Sequence, residues 1–144
     1  MDLTMADAAD RIEGAATEEE VYRFAEWVDG WANASGLGSD VAFAMRLCLE
    51  EATTNIVHYG FAPEAPHRMM AAEALAVPGG AALVLTDNGF PFDVTRAAEP
   101  GREDSIENAS HGGRGIRLMR SFAAGMSYRR VGDRNELTFK FESP

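Results

Sequence analysis

Three polar residues, Glu51, Asn55 and His58, could do chemistry because they share one face of a predicted helix. Spacings of four and three place them on a single stripe, which continues towards the N-terminus through apolar residues. Burying a carboxylate and an amide is costly unless they are paired or bind a ligand. Such a pair could hold a hard cation through oxygen while the carboxylate serves as a general base. A hydrogen-bond network at the helix end would explain the same residues.

A second polar group, Asp87-Asn88-Gly89, follows an apolar run at residues 81–85 that is typical of a buried strand. The simplest interpretation is a turn, since Asp, Asn and Gly all favour turns. The functional alternative is that Asp87 accepts a hydrogen bond from a ligand amine while Gly89 lets the backbone come close to that ligand.

A third group, Gly112-Gly113-Arg114-Gly115, directly precedes a predicted helix. Free N–H groups at the start of a helix lie at its positive end and can bind phosphate oxygens. A flexible loop end gives the same pattern, so this signal is weak alone. Lys140 is the sole lysine, and no Gly-rich loop leads into it, which excludes a P-loop nucleotide site.

Hydrophobic patterning predicts the elements that position these groups. A capping box at Thr17 and Glu20 begins a first helix, which Gly36 ends. A second helix from Ser39 to about Tyr59 is apolar around most of its circumference and should be buried on more than one side. Strands are predicted at residues 68–77, 81–86, 126–131 and 136–141, and a short helix at 115–124. The order favours a two-layer α+β fold with helices on one face of a mainly antiparallel sheet.

Composition excludes several classes of function. The net charge of −10 argues against a nucleic acid partner and against an anionic membrane surface. No apolar run approaches the roughly 20 residues of a membrane span, and the N-terminus lacks the pattern of a secretory signal. Cys48 is the sole cysteine, which fits a reducing compartment. We therefore expect a cytoplasmic protein with a single domain over residues 1–144.

Four segments occur together in an order that resembles one family. They are residues 50–58 (EEATTNIVH), 87–93 (DNGFPFD), 113–119 (GRGIRLM) and 135–139 (NELTF). They resemble the N-box, the first and second Gly boxes and the closing strand of the GHKL, or Bergerat-fold, ATP-binding family. The likeness runs from about residue 17 to residue 141 and is greatest to the small serine kinases that act as anti-sigma factors. It implies a histidine-kinase-like ATP-binding domain with a mixed, mainly antiparallel sheet.

The resemblance implies a role for each matched residue around the base of ATP and its metal. Asn55 would ligate a Mg²⁺ that bridges the phosphates of ATP, and Glu51 would be the general base towards a protein serine hydroxyl. Asp87 would bind the adenine amino group, with Gly89 beside it and Thr138 nearby.

The resemblance also implies how the phosphates are held. Gly113 and Gly115 would donate backbone N–H groups to them, and residues 93–112 would form the ATP lid. Related kinases carry an arginine near the end of the lid that meets the terminal phosphate. In this sequence either His111 or Arg114 would take that part. Asp93-Val94 departs from the frequent Asp-Pro at the start of the lid.

The implied function is an anti-sigma factor with protein-serine kinase activity. It would bind a sigma factor or other regulator in one state and phosphorylate an anti-anti-sigma (STAS-type) protein in another. The alternative is a partner switch that binds ATP without transferring phosphate. A sensor histidine kinase domain is less expected, because no helix with a phospho-accepting histidine precedes the first helix; a DNA-topology ATPase would need a further domain. Homodimerisation through Tyr22 and Trp27 is also expected.

Overall fold

A five-stranded sheet forms one layer of the fold. The computed structural model describes residues 9–97 and 113–143. Across the sheet the strands are β1 (Ala9–Ala15), β2 (Met69–Val77), β3 (Gly80–Asp87), β5 (Arg134–Glu142) and β4 (Gly125–Val131). All four neighbouring pairs are antiparallel. The predicted α+β class is therefore confirmed.

Helices form the second layer: α1 (Glu18–Ala34), α2 (Ser39–Tyr59), the single turn α3 (Val94–Ala97) and α4 (Gly113–Phe122). Thr17 caps α1 as predicted, because its hydroxyl oxygen accepts a hydrogen bond from the Glu20 N–H. The second half of the predicted capping box is not formed, since the Glu20 carboxylate pairs with Arg23 and the Thr17 N–H donates to the Ala15 carbonyl oxygen. The helix α4 begins and ends two residues earlier than the sequence predicts. No helix among the described residues is long and apolar enough to cross a membrane.

The core lies between the sheet and the long helices. The helix α2 contacts α1, α4 and the strands β3 and β5, which confirms that it is buried on more than one side. Alternate residues of the central strands point at the helices, as a period of two requires. The largest fully buried side chains in the described part include Phe24, Met45, Leu49, Leu83 and Phe139.

The strand β1 was not predicted from the sequence; it pairs with β2 and forms one edge of the sheet. Its residues are mostly charged or small, and Ile12 is the one large apolar side chain. The strand is held by its backbone ladder to β2 and by a hydrogen bond of 3.0 Å from the Trp27 indole N–H to Asp10 Oδ2. Trp27 is therefore half-buried against β1. The dimer contact predicted on α1 assumed that Trp27 is exposed.

Candidate functional site

A cavity of about 350 Å³ opens between α2, α4 and the end of the sheet where β3 leads into the segment 88–93. Its walls are mainly apolar and include Ala52, Ile56, Leu85, Val94, Ile116 and Met119. Five polar side chains also line it, namely Asn55, Tyr59, Asp87, Tyr128 and Asn135. An apolar cavity with a few converging polar groups is typical of a small-molecule site.

Asp87 ends β3 and presents a carboxylate to this cavity. Its Oδ1 accepts hydrogen bonds from the Gly89 N–H at 2.8 Å and from Asn135 Nδ2 at 3.0 Å. Among the described residues no donor reaches Oδ2, which leaves one acceptor for a ligand. Burial raises the pKa of Asp87, although the hydrogen bonds from Asn135 and Gly89 and the charge of Arg130 oppose the shift.

Asn135 holds Asp87 in place. This amide is only 7% exposed, and both of its N–H donors are engaged, one by Asp87 Oδ1 and one by the Phe90 carbonyl oxygen at 2.7 Å. Its Oδ1 accepts from the Tyr128 hydroxyl at 2.6 Å and from Arg130 Nη1 at 3.2 Å. A buried amide with all of these partners fixes the carboxylate beside it in one orientation.

The resemblance placed Thr138 near the base of ATP, but in the structure Thr138 is not among the residues that line the cavity. Thr138 lies on β5 between Leu137 and Phe139, and only Leu137 of these lines the cavity. Because side chains alternate along a strand, Thr138 points to the opposite face of the sheet. The residue of β5 that reaches the polar end of the cavity is Asn135. The apolar alternation of residues 137, 139 and 141 was a signal in the sequence that could have identified it.

Replacement of Asn135 should therefore disturb the site, and replacement of Thr138 should not. We expect Asn135→Ala to weaken ATP binding by about 1–3 kcal/mol, since it leaves buried polar partners unsatisfied. Thr138→Val, a change of similar size on the same strand, should leave the dissociation constant nearly unchanged. Isothermal titration of ATP into each variant measures both, and equal losses would contradict the assignment of Asn135.

Gly89 is required by a close approach of two backbones. A Cβ at this position would overlap the Gly60 carbonyl oxygen, and the adjacent Phe90 N–H donates to that same oxygen at 2.8 Å. Gly60 is the C-terminal cap of α2, so this contact joins the end of α2 to the segment after β3. The sequence suggested that Gly89 lets the backbone come close to a ligand. In the structure a side chain at position 89 is excluded by the backbone of Gly60.

The structure brings the N-box and the second Gly box together. Asn55 lines the cavity, and Glu51, one turn earlier on α2, lies against the first turn of α4. A Cβ at Gly115 would overlap the Glu51 carboxylate, so the glycine allows this contact. Within the described residues, no hydrogen-bond donor engages the carboxylate of Glu51. The N–H groups that begin at Gly113 lack intrahelical partners and lie at the positive end of α4.

The other predicted site residues lie away from the cavity or outside the residues that the structure describes. His58 Nε2 contacts Glu18 of α1 at 2.9 Å and does not line the cavity. Arg114 is exposed at the start of α4. Of the predicted lid at 93–112, the structure describes residues 93–97, where Asp93 Oδ1 accepts from the Thr95 N–H at 2.9 Å. His111 lies outside the described residues.

Cys48 adjoins the site without taking part in its chemistry. The thiol is buried on α2, one turn before Ala52, and contacts the Met119 carbonyl oxygen. Burial, together with the negative charge of Glu51, raises the pKa of Cys48 to about 12. A thiol with this pKa remains protonated at neutral pH and is a poor nucleophile.

The residues present fit ATP and Mg²⁺. The Asp87 carboxylate can accept an amino group at one end of the cavity, and the first turn of α4 offers N–H groups to anionic oxygens near the other. Within the described residues no three His, Cys, Asp or Glu side chains group together as a metal site. The Asn55 amide oxygen lines the cavity and is a ligand of the kind that Mg²⁺ accepts, so Asn55 is the residue that would hold the metal implied by the resemblance.

Comparison with known proteins agrees with this geometry. The family model of the histidine kinase-like ATPase domain matches residues 14–141. The serine/threonine-protein kinase BtrW of Bordetella bronchiseptica is 31% identical over 142 residues, which cover 96% of this chain and 97% of that protein. The crystal structure of the RsbU and RsbW domains of Rv1364c from Mycobacterium tuberculosis matches 93% of this chain with a TM-score of 0.67. At 12% identity and 32% coverage of the longer chain, this likeness shows the fold alone.

Proposed function

Because the chain belongs to the histidine kinase-like ATPase domain family, and to the family of a serine/threonine-protein kinase, we propose that it transfers the terminal phosphate of ATP to a serine of a partner protein. Membership of an ATPase-domain family implies ATP binding. The observation that carries the further step is the contact of Glu51 with Gly115, because it sets a carboxylate beside the helix end that would hold the phosphates.

Each residue of the site would have a role that follows from its position. Asp87, held by Asn135, would accept the amino group of the purine. The N–H groups at Gly113 and Gly115 would hold anionic oxygens, and Arg114 would add a positive charge. When bound, Mg²⁺-ATP supplies the phosphoryl group and a metal that neutralises its charge.

Glu51 would take the proton of the attacking serine hydroxyl, and Asn55 would contribute an amide oxygen to the metal. The Glu51 carboxylate lies beside Gly115 at the start of α4, where it could accept the proton. Phosphate transfer needs mainly positioning and charge stabilisation, which these groups provide.

The kinase would act in a partner-switching pathway. Its substrate would be an anti-anti-sigma protein of the STAS type, and it would also sequester a sigma factor or another regulator. The relationship to a named serine/threonine kinase supports this proposal at the level of the family. A homodimer through the exposed Tyr22 on α1 stays a prediction that sedimentation can test.

Labelling with [γ-³²P]ATP and Mg²⁺ tests the proposed activity. The purified chain is added to a lysate of its source organism, beside Glu51→Gln and Asn55→Ala. A small protein labelled on serine by the unsubstituted chain and by neither variant is the expected result. If no protein is labelled although the chain binds Mg²⁺-ATP, the non-catalytic switch is the better description.

Glycine at position 115 should be essential for this activity. We expect Gly115→Ala to lower phosphate transfer by at least about tenfold, since the new Cβ displaces the Glu51 carboxylate and a 1 Å misplacement can cost still more. Gly30→Ala is the matched control, because a Cβ there meets no atom within 4 Å. In the middle of α1 it should stabilise the fold by up to about 1 kcal/mol and leave transfer intact. Equal activity of the two variants would contradict this role of Gly115.

A further inference from the structure

The strand β4 lies at one edge of the sheet and carries two neighbouring arginines, Arg129 and Arg130. Because side chains alternate along a strand, the two point to opposite faces of the sheet. Arg129 is exposed on the face away from the helices, where it pairs with Glu136 of β5. Arg130 is half-buried on the face that carries the cavity, directly across the ladder from Asn135. Two side chains of the same charge therefore have very different surroundings.

The guanidinium group of Arg130 donates hydrogen bonds to three oxygens. Its Nη1 donates to the Gly89 carbonyl oxygen at 2.9 Å and to Asn135 Oδ1 at 3.2 Å, and its Nε donates to the Gly132 carbonyl oxygen at 3.2 Å. Arginine suits such a contact because its donors are held in a flat, forked arrangement. The side chain thus joins the turn after β4, the start of β5 and the segment that follows β3.

The charge of Arg130 acts on Asp87 through the amide of Asn135. The amide oxygen accepts from the guanidinium group, while the amide nitrogen donates to Asp87 Oδ1 at 3.0 Å. A cation at the oxygen polarises the amide in the direction that strengthens the hydrogen bond from its nitrogen. Burial raises the pKa of Asp87, and the charge of Arg130 opposes that rise. The network therefore favours an ionised carboxylate in a mainly apolar cavity.

We propose that Arg130 is a positioning residue for purine recognition, which holds the Asp87 carboxylate so that its second oxygen accepts the purine amino group. Arg130 does not line the cavity, so it would act through Asn135 and not by contact with the nucleotide. Its hold on the Gly89 carbonyl oxygen fixes the backbone directly after Asp87. This inference rests on the proposed ATP site and is independent of phosphate transfer.

The test compares ATP with purine riboside triphosphate, which is ATP without the amino group of the base. Each nucleotide is titrated with Mg²⁺ into the unsubstituted chain, Arg130→Met, Arg130→Gln and Arg129→Met. Methionine removes the charge and the donors of the arginine, whereas glutamine removes the charge and keeps N–H donors that help the fold. Arg129→Met is the matched control, because it makes the same change on the other face of the same strand. Thermal unfolding checks that each variant is folded.

We expect the unsubstituted chain to bind ATP more tightly than the analogue. Both Arg130 variants should weaken ATP binding by at least about fivefold, since the hydrogen bonds of a charged donor are lost from a buried network. The affinity for the analogue should change by less than about twofold, because the analogue has no amino group for Asp87 to accept. Arg129→Met should bind both nucleotides as the unsubstituted chain does.

Equal losses for the two nucleotides would overturn the proposal, since Arg130 would then only support the shape of the cavity. Unchanged ATP affinity in the Arg130 variants would also overturn it, as would an unsubstituted chain that binds the two nucleotides equally. If the expected selective loss is found but the chain labels no protein, the proposed kinase activity is wrong and the role of Arg130 stands.

Discussion

Replacing Glu51 with Gln should slow phosphate transfer by about 10²- to 10⁴-fold, which is the usual contribution of a general base. The amide has the shape of the carboxylate but cannot take the proton of the serine hydroxyl. Glu51 lies outside the lining of the cavity and packs against Gly115, so ATP affinity should change little. Single-turnover transfer to the serine substrate and a separate titration of ATP measure the two effects.

Asn55→Ala is the informative comparison for this variant. It removes an oxygen that lines the cavity, so it should weaken Mg²⁺-dependent ATP binding as well as transfer. If Glu51→Gln transfers phosphate at the rate of the unsubstituted chain, the assignment of Glu51 as the general base is wrong. This result would not contradict ATP binding.

The second large effect is expected at Asp87, where Asn should reduce ATP affinity by about 1.5–3 kcal/mol, the value of a hydrogen bond to a charged group. An amide in this place can accept the hydrogen bonds of Gly89 and Asn135 through its oxygen. Its nitrogen, however, would face the purine amino group as a second donor. Titration of ATP into Asp87→Asn measures the loss, and an unchanged affinity would refute the role of Asp87.

The same substitution should not destabilise the ligand-free chain. Burial raises the pKa of Asp87 above its ordinary value of 3.8, so the folded state holds the proton more tightly than the unfolded state does. The stability linked to this group is present below the unfolded pKa and is lost as the pH rises through the folded pKa. At pH 7 we expect Asp87→Asn to have an equal or higher Tm than the unsubstituted chain. This difference should disappear as the pH falls towards 3.8.

The sequence predicted the parts of this fold that have a clear signal in a short stretch of residues. The N-cap of α1 at Thr17, the apolar circumference of α2 and the turns at Gly79 and Gly132 all have local causes, and both glycines adopt positive φ angles. The strand β1 could not be predicted, because its backbone ladder to β2 holds a charged segment in place. This pairing joins residues that are far apart in the sequence, so no local sequence pattern indicates it.

The sequence predicted the motif residues of the candidate site, but it did not predict the role of Asn135. Glu51, Asn55 and Asp87 were predicted because each stands out within an apolar helix or at a strand end. The structure places Asn55 and Asp87 in the lining of the cavity and Glu51 beside Gly115. Asn135 was missed because its role depends on Tyr128 and Arg130, which join it only when β4 pairs with β5. Thr138 was chosen by likeness to a motif, without regard to the alternation along β5.

A crystal structure with Mg²⁺ and a non-hydrolysable ATP analogue tests most directly whether the three separated motifs form one ATP site. We predict that the adenine lies in the cavity against Asp87, that the phosphates meet the N–H groups at Gly113 and Gly115, and that the metal contacts Asn55. A nucleotide bound elsewhere, or a cavity that remains empty at saturating analogue, would contradict the account.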